Sequence, residues 1–132
     1  MGNITKNFSM HEFECRCGCK MPKEVQANIK KLALQLQFLR TRIGSSIKIT
    51  SAYRCLSHNR MIGSNDSSQH PKGKAADIQV KTFSPHYVHT FIENMIQDVM
   101  NNEGVTIKGL GKYNSFTHVD IRESVARWNH TT

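Results

Sequence analysis

Residues 67–78 read SSQHPKGKAADI, and this stretch combines a polar loop, a tight turn and the beginning of a strand. His70 lies in the loop and Gly73 allows the turn. Asp77 belongs to the segment AADIQV, whose alternating and β-branched residues predict a strand. The alternation places Asp77 on the face opposite Ile78, which we expect in the core. The stretch therefore directs a histidine and a carboxylate toward one cleft.

Two further segments are predicted strands that carry polar residues. FTHVDIR, residues 116–122, places His118 and Asp120 on one face, and IKITSAYR, residues 47–54, ends at Arg54. Two imidazoles and one carboxylate recur as zinc ligands in hydrolases, where three protein ligands leave a fourth position open for water. The spacing of His70, Asp77 and His118 fits such a set. It also fits a plainer arrangement, in which Asp77 bonds a turn and His118 bonds Asp120.

The apolar pattern predicts two long helices beside these strands. One begins at Pro22 and ends at Gly44, and the other has Ser84 as its N-cap, Pro85 as its first residue and Gly104 beyond its end. Apolar residues recur every three or four positions along both, which marks a buried face. In the first helix these residues are Val25, Ile29, Leu32, Leu36, Leu39 and Ile43. In the second they are Val88, Phe91, Ile92, Met95, Ile96 and Val99. Strands mixed with helices predict a domain that contains both α and β structure.

Length, composition and charge limit the number of domains and the kinds of partner that we expect. The chain has 132 residues, of which 38% are hydrophobic, and no repeat or linker-like stretch, so we expect one domain over 1–132 with its core from about Asn7 to Trp128. It has no apolar run long enough to span a bilayer. The net charge of +8 favours polyanionic surroundings, which include nucleic acid, anionic lipid and the polymers of bacterial envelopes, and charge alone does not choose among them. The basic residues are scattered, so we expect no nucleic-acid partner, and we expect a monomer.

The four cysteines leave their state open. Cys15, Cys17 and Cys19 form C-x-C-x-C, and Cys55 follows far along the chain. The spacing differs from the usual C-x2-C pairing of zinc fingers, which weakens a prediction of a second metal site. A disulfide from one of the three to Cys55 is geometrically possible. Four reduced thiols in a chain made in a reducing cytosol are the alternative.

Four ordered motifs together resemble the zinc D-Ala-D-Ala carboxypeptidase family of bacterial and phage peptidoglycan peptidases, whose fold is shared with the hedgehog signalling domain. The motifs are NFSMHEFECRCGC, ITSAYRCLSHNRMIGS, SSQHPKGKAADI and GLGKYNSFTHVDIR, followed by ARW near the end. The resemblance implies a single α+β domain with an antiparallel sheet flanked by helices, and a zinc site of His70, Asp77 and His118. It also implies that Arg54 lies in the active site and steadies the substrate carbonyl or the developing oxyanion, a task that suits a permanently charged guanidinium.

The general base is where the chain departs from that family. Well-known members carry an acidic residue three positions before the last histidine, and Ser115 stands there in this chain. Asp120 is the nearest carboxylate by spacing, so we expect it to take the proton of the attacking water. It fits equally well as a group that orients His118. Gly109 and Gly111 are expected to loosen the chain before the last strand. Tyr53, Tyr113 and Trp128 are candidates for the edge of the cleft, although for Trp128 we expect a place that caps the core.

The predicted function is therefore zinc-dependent hydrolysis of a peptide bond in the peptidoglycan stem peptide, of either the D-Ala-D-Ala carboxypeptidase or the L-Ala-D-Glu endopeptidase type. Ser115 favours an alternative, a non-catalytic, zinc-stabilised module that binds the cell wall. The N-terminal residues lack the pattern of a secretory signal. We therefore expect a protein made in the cytoplasm that acts at the cell wall or periplasm after release, as an endolysin does, or as part of a phage particle.

Overall fold

The computed structural model describes residues 2–99 and 105–132, and in this part of the chain a five-stranded sheet packs with helices into one α+β unit. The α-helices are α1 Lys23–Ile43, α2 Leu56–Met61 and α3 Pro85–Val99. Short 3-10 helices cover Met10–Phe13 and His70–Lys72. The strands are β1 Ile47–Ser51, β2 Ala75–Val80, β3 Gly109–Lys112, β4 Thr117–Asp120 and β5 Ala126–Asn129. The predicted α+β class is confirmed.

Helix α1 follows its predicted bounds. It begins directly after Pro22 and ends at Gly44, whose N–H donates to the Arg40 carbonyl at 3.1 Å. All six apolar residues predicted for its inner face are buried. Each of these side chains stabilises the fold by about 1.5–3 kcal/mol relative to exposure. The helix forms because its apolar residues, three or four positions apart, lie on one face and pack against the core.

Helix α3 also begins at its predicted residue, Pro85. Val88, Ile92 and Met95 are buried, as predicted, whereas Phe91 and Ile96 are half-buried against the same core. The side chain of Val99 and the predicted stop at Gly104 lie outside the described residues. Among the helices of the described ranges, none combines the length and the apolar character needed to cross a membrane.

The strands lie in the order β1-β2-β4-β3-β5. Neighbours are antiparallel except for β3 and β5, which are parallel, so the predicted antiparallel sheet is correct for most of its length. One row of paired residues crosses four strands, namely Asp77, His118, Gly111 and Trp128. Because directly paired residues share a face of the sheet, this row places the side chains of Asp77 and His118 together.

The expectation that Gly109 and Gly111 loosen the chain is wrong, because both are paired within β3. A Cβ at Gly109 would collide with the Asp120 carboxylate, and one at Gly111 would collide with the Trp128 indole. Glycine is needed here for space rather than for flexibility. Because Gly109 and Gly111 have no side chains, the Asp120 carboxylate of β4 and the Trp128 indole of β5 can lie against β3.

Strand β1 ends in an irregularity that sets up the site. Its register with β2 shifts between Ile49 and Ser51, and the Thr50 hydroxyl donates to the Asp77 carbonyl at 3.1 Å. Such bulges bend a strand out of its ladder. The predicted strand therefore stops at Ser51 instead of continuing to Arg54, and the next residues turn toward the loop that carries His70.

Candidate metal centre

Three elements bring His70, Asp77 and His118 together, as the motifs predict. Asp77 and His118 are partners in the β2–β4 ladder, and His70 begins the 3-10 helix that precedes β2. Gly73 ends that helix with a left-handed φ of 73°, which returns the chain into β2. All three side chains are buried. Local turn geometry and strand register together therefore create the cluster.

The potential ligand atoms are close enough to share one ion. His118 Nδ1 lies 3.0 Å from Asp77 Oδ1, and His70 Nε2 lies 3.4 Å from the same oxygen. Zinc bonds of about 2.0–2.1 Å in a tetrahedral arrangement place neighbouring ligand atoms about 3.3 Å apart. The observed separations match that value, so these residues fit a zinc ion without rearrangement of the backbone.

The second nitrogen of each imidazole is already held by an acceptor. His70 Nδ1 lies 2.6 Å from the Ala52 carbonyl, and His118 Nε2 lies 2.7 Å from Asp120 Oδ2. A carbonyl only accepts, so Nδ1 of His70 carries the proton and Nε2 is free to bind a metal. Nε2 of His118 donates to Asp120 in the same way, and Nδ1, which lies 3.0 Å from Asp77 Oδ1, is the nitrogen that would bind a metal in place of its proton. Metal-binding histidines usually have such acceptors behind them.

The electrostatics of the cluster keep Asp77 ionised. Burial alone would raise its pKa, but the hydrogen bond from His118 and the adjacent imidazole of His70 hold that pKa well below its usual range. Burial lowers the pKa of His70 below its ordinary value, despite the opposing effect of Asp77. Burial also acts to lower the pKa of His118, yet its bonds to Asp120 and Asp77 outweigh burial and raise it. The cluster thus combines a carboxylate with a neutral imidazole.

Asp120 lies behind His118 and away from the cleft. Its side chain is 0% exposed, and Arg122 donates to it from Nε at 2.8 Å and from Nη2 at 2.7 Å. Burial would raise the pKa of Asp120, but the bonds from His118 and Arg122 hold it well below its usual range. With both oxygens occupied, this geometry favours the orienting role over that of a proton acceptor.

A cleft of about 580 Å³ opens in front of the three potential ligands. Arg54 lines it, and the buried Nε of Arg54 has no hydrogen-bond partner within the described part of the protein. Burial lowers the pKa of this guanidinium, while the charge of Asp77 opposes the change. A buried donor without a partner is costly unless a ligand satisfies it. Arg54 therefore faces the cleft as a site for an oxygen of a bound molecule.

Comparison with known proteins identifies the family. Residues 6–120 match the family model described as Peptidase M15. The chain belongs to the Peptidase M15 family. A search of the curated proteins found no match. The matched segment includes the three potential ligands as well as Arg54 and Asp120.

Membership makes the chain a metallopeptidase, since M15 peptidases depend on a metal, typically zinc. The cluster of His70, Asp77 and His118 can hold that metal. The family match ends at Asp120, so the cleft residues beyond it, including Trp128 and His130, are not covered by the match.

Several cleft residues are not where the sequence places them. Trp128 does not cap the core but lines the cleft, with its ring centroid 4.9 Å from that of His118 and its Nε1 donating to Tyr113 at 2.9 Å. His130 also lines the cleft, and no motif marks it. Ser115 lies outside this cleft, and its carbonyl accepts from Gln79 at 2.9 Å. Of the aromatic residues considered for the cleft edge, Tyr113 and Trp128 line the cleft.

Proposed function

We propose that this M15 peptidase is a zinc enzyme that hydrolyses a peptide bond in the peptidoglycan stem peptide. The observation that carries the proposal is the convergence of three potential zinc ligands beside the unpartnered Nε of Arg54 in one open cleft. The net charge of +8 supports a target embedded in anionic envelope polymers. The bond cut is either the terminal D-Ala-D-Ala linkage or an internal L-Ala-D-Glu linkage.

Each residue has a separate task in this proposal. His70, Asp77 and His118 hold the zinc, whose contribution in such a site is to activate water and polarise a carbonyl. Arg54 donates to the oxygen on which negative charge develops, an interaction that strengthens as the transition state forms. Asp120 orients His118 and keeps Nδ1 directed at the metal position.

For the proton acceptor we propose His130. Among the described residues that line the cleft, Asp77 is the only carboxylate, and the proposal already assigns it to the metal. His130 is the only cleft imidazole outside the ligand pair, and its ring packs edge-on against Tyr113 at a centroid distance of 5.1 Å. Imidazole is the commonest general base in enzymes. A His130→Ala variant should then keep its zinc and lose kcat, whereas His86→Ala on the exposed part of α3 should keep both.

The decisive experiment is mass spectrometry of soluble products from purified peptidoglycan incubated with the zinc-loaded protein. We expect the wild type to release either free alanine or peptides with a new amino terminus, and the matched His70→Ala variant to release neither. Free alanine identifies a carboxypeptidase, and new amino termini identify an endopeptidase. Product from the His70→Ala variant at the wild-type rate would refute the proposed site.

The second candidate is a non-catalytic module that uses the same cleft to bind cell-wall peptide. The absence of any carboxylate other than Asp77 from the described cleft lining favours it. This module would bind stem peptide in a cosedimentation assay and require zinc to do so, yet release no product from any wall chemotype. Binding without products, in a protein with full zinc content, would therefore replace the peptidase proposal.

A further inference from the structure

The four cysteines converge on one point, although three lie near the N-terminus and one lies after β1. The Sγ atoms of Cys15, Cys17, Cys19 and Cys55 all lie within 4.8 Å of one another. Cys17 Sγ lies 3.2 Å from that of Cys15 and 3.5 Å from that of Cys55. The cluster is composed of different residues from the His70, Asp77 and His118 site and plays no part in the function proposed above.

The backbone is shaped to bring these sulfurs together. Gly18 donates its N–H to the Cys15 carbonyl at 3.0 Å, so the chain turns at Arg16 and Cys17, and the left-handed φ of 84° at Gly18 leads it on to Cys19. Arg16 points the other way and donates to the Ile49 and Thr50 carbonyls at 3.2 and 3.1 Å. These contacts fix the loop against β1, beside the residues that lead to Cys55.

The sulfur of Cys55 is also oriented from its own side. It accepts the backbone N–H of His58 at 3.4 Å, which fixes the side chain at the beginning of α2. Backbone donors of this kind stabilise thiolate ligands, because the hydrogen bond offsets part of the negative charge on sulfur. Both partners of the cluster, the N-terminal loop and α2, thus hold their sulfurs in place independently.

We propose that Cys15, Cys17, Cys19 and Cys55 bind a structural zinc ion. Zinc–sulfur bonds of about 2.3 Å in a tetrahedron place the sulfurs about 3.8 Å apart, a value within the observed spread. Four protein ligands and no open position are typical of structural rather than catalytic zinc. The C-x-C-x-C spacing differs from that of zinc fingers because the turn that ends at Gly18, rather than a C-x2-C turn, brings the sulfurs together.

A disulfide fits the same cluster less well. It would join two sulfurs and leave two thiols beside it. The sulfur of Cys17 lies close to the sulfurs of both Cys15 and Cys55, so its position does not favour a bond to one of them. A zinc ion uses all four sulfurs. Its consequence is a cross-link between the N-terminal loop and Cys55, the residue next to Arg54, which ties the first residues of the chain to the wall of the cleft.

The test counts zinc per chain in purified, reduced full-length protein by elemental analysis and native mass spectrometry. We expect two zinc ions in the wild type, one in Cys17→Ser, one in His70→Ala and none in the double variant. Cys17 is exposed, so its replacement disturbs packing little. A wild type that holds one ion, lost in His70→Ala and unchanged in Cys17→Ser, would overturn the proposal. So would a disulfide within the cluster that persists, by intact mass, when the reduced protein is supplied with zinc and the reductant is removed.

Cobalt substitution supplies a second readout if Cys17→Ser does not fold. Cobalt bound by four thiolates shows intense sulfur-to-metal charge-transfer absorption, which a site of two imidazoles and a carboxylate does not. We expect that absorption in the cobalt-loaded wild type and in His70→Ala alike. Its absence from both proteins would refute the cysteine site. Because neither readout uses peptidoglycan, failure of the peptidase proposal would leave this result unaffected.

Discussion

Replacement of Asp120 by asparagine separates two chemical roles that spacing alone cannot distinguish. Asparagine keeps the shape of the side chain but has one acceptor oxygen instead of two and carries no charge. In the protein, the two carboxylate oxygens serve His118 Nε2 and the guanidinium of Arg122. His118 Nε2 and Arg122 Nη2 share Oδ2, whereas Arg122 Nε uses Oδ1. The NH₂ group of asparagine therefore faces either Arg122 Nε or the donors that share Oδ2, and one side of the carboxylate loses its acceptor.

The expected magnitudes follow from burial. Removal of one partner from a buried ion pair costs about 3–5 kcal/mol. The Arg122 side chain is 26% exposed, so water recovers part of its loss, and we expect about 3 kcal/mol in the free energy of unfolding. Loss of the acceptor behind a zinc-bound imidazole lowers metal affinity about 10–100-fold. That factor corresponds to about 1.4–2.7 kcal/mol.

The assay combines urea unfolding, zinc affinity by chelator competition, and peptidase rates at increasing zinc. If Asp120 orients His118, Asp120→Asn binds zinc more weakly and recovers most of its kcat when zinc is in excess. Asp66→Asn is the matched control, because Asp66 also pairs with an arginine, Arg60 at 2.7 Å, but on the surface. It should change none of the three measurements. Unchanged zinc affinity with a kcat that stays low at saturating zinc would refute the orienting role and identify Asp120 as the base.

Three other substitutions test the fold and the cleft. Arg54→Lys should lower kcat/KM by about 10²–10³-fold without loss of bound zinc, because lysine cannot reproduce the guanidinium donors; an unchanged rate would exclude Arg54 from the reaction. Gly111→Ala should cost about 1–3 kcal/mol in urea unfolding and quench or shift Trp128 fluorescence, because the new methyl collides with the indole. Leu36→Ala should cost about 2–5 kcal/mol at a fully buried position, and Leu34→Ala, at a side chain 60% exposed, should cost far less by the same measurement.

The two long helices could be predicted from the sequence because their signals are local. An apolar residue at every third or fourth position needs only its own helix to define a face, and proline and glycine mark the ends. β3 and β5 could not be predicted in this way. Each has four residues, and the glycines of β3 resemble a loop until Asp120 and Trp128 are known to lie beside them.

The sequence by itself determined the α+β class, the bounds of α1, the beginning of α3 and the potential ligands His70, Asp77 and His118, because ordered motifs carry residue identity and approximate spacing. Only the tertiary structure determined which residues contact those ligands and which residues line the cleft around them. The position of Asp120 behind His118, the place of Trp128 in the cleft wall and the meeting of Cys55 with Cys17 all depend on contacts between segments distant in the chain. Such contacts arise from strand register and turn direction, which residue spacing does not specify.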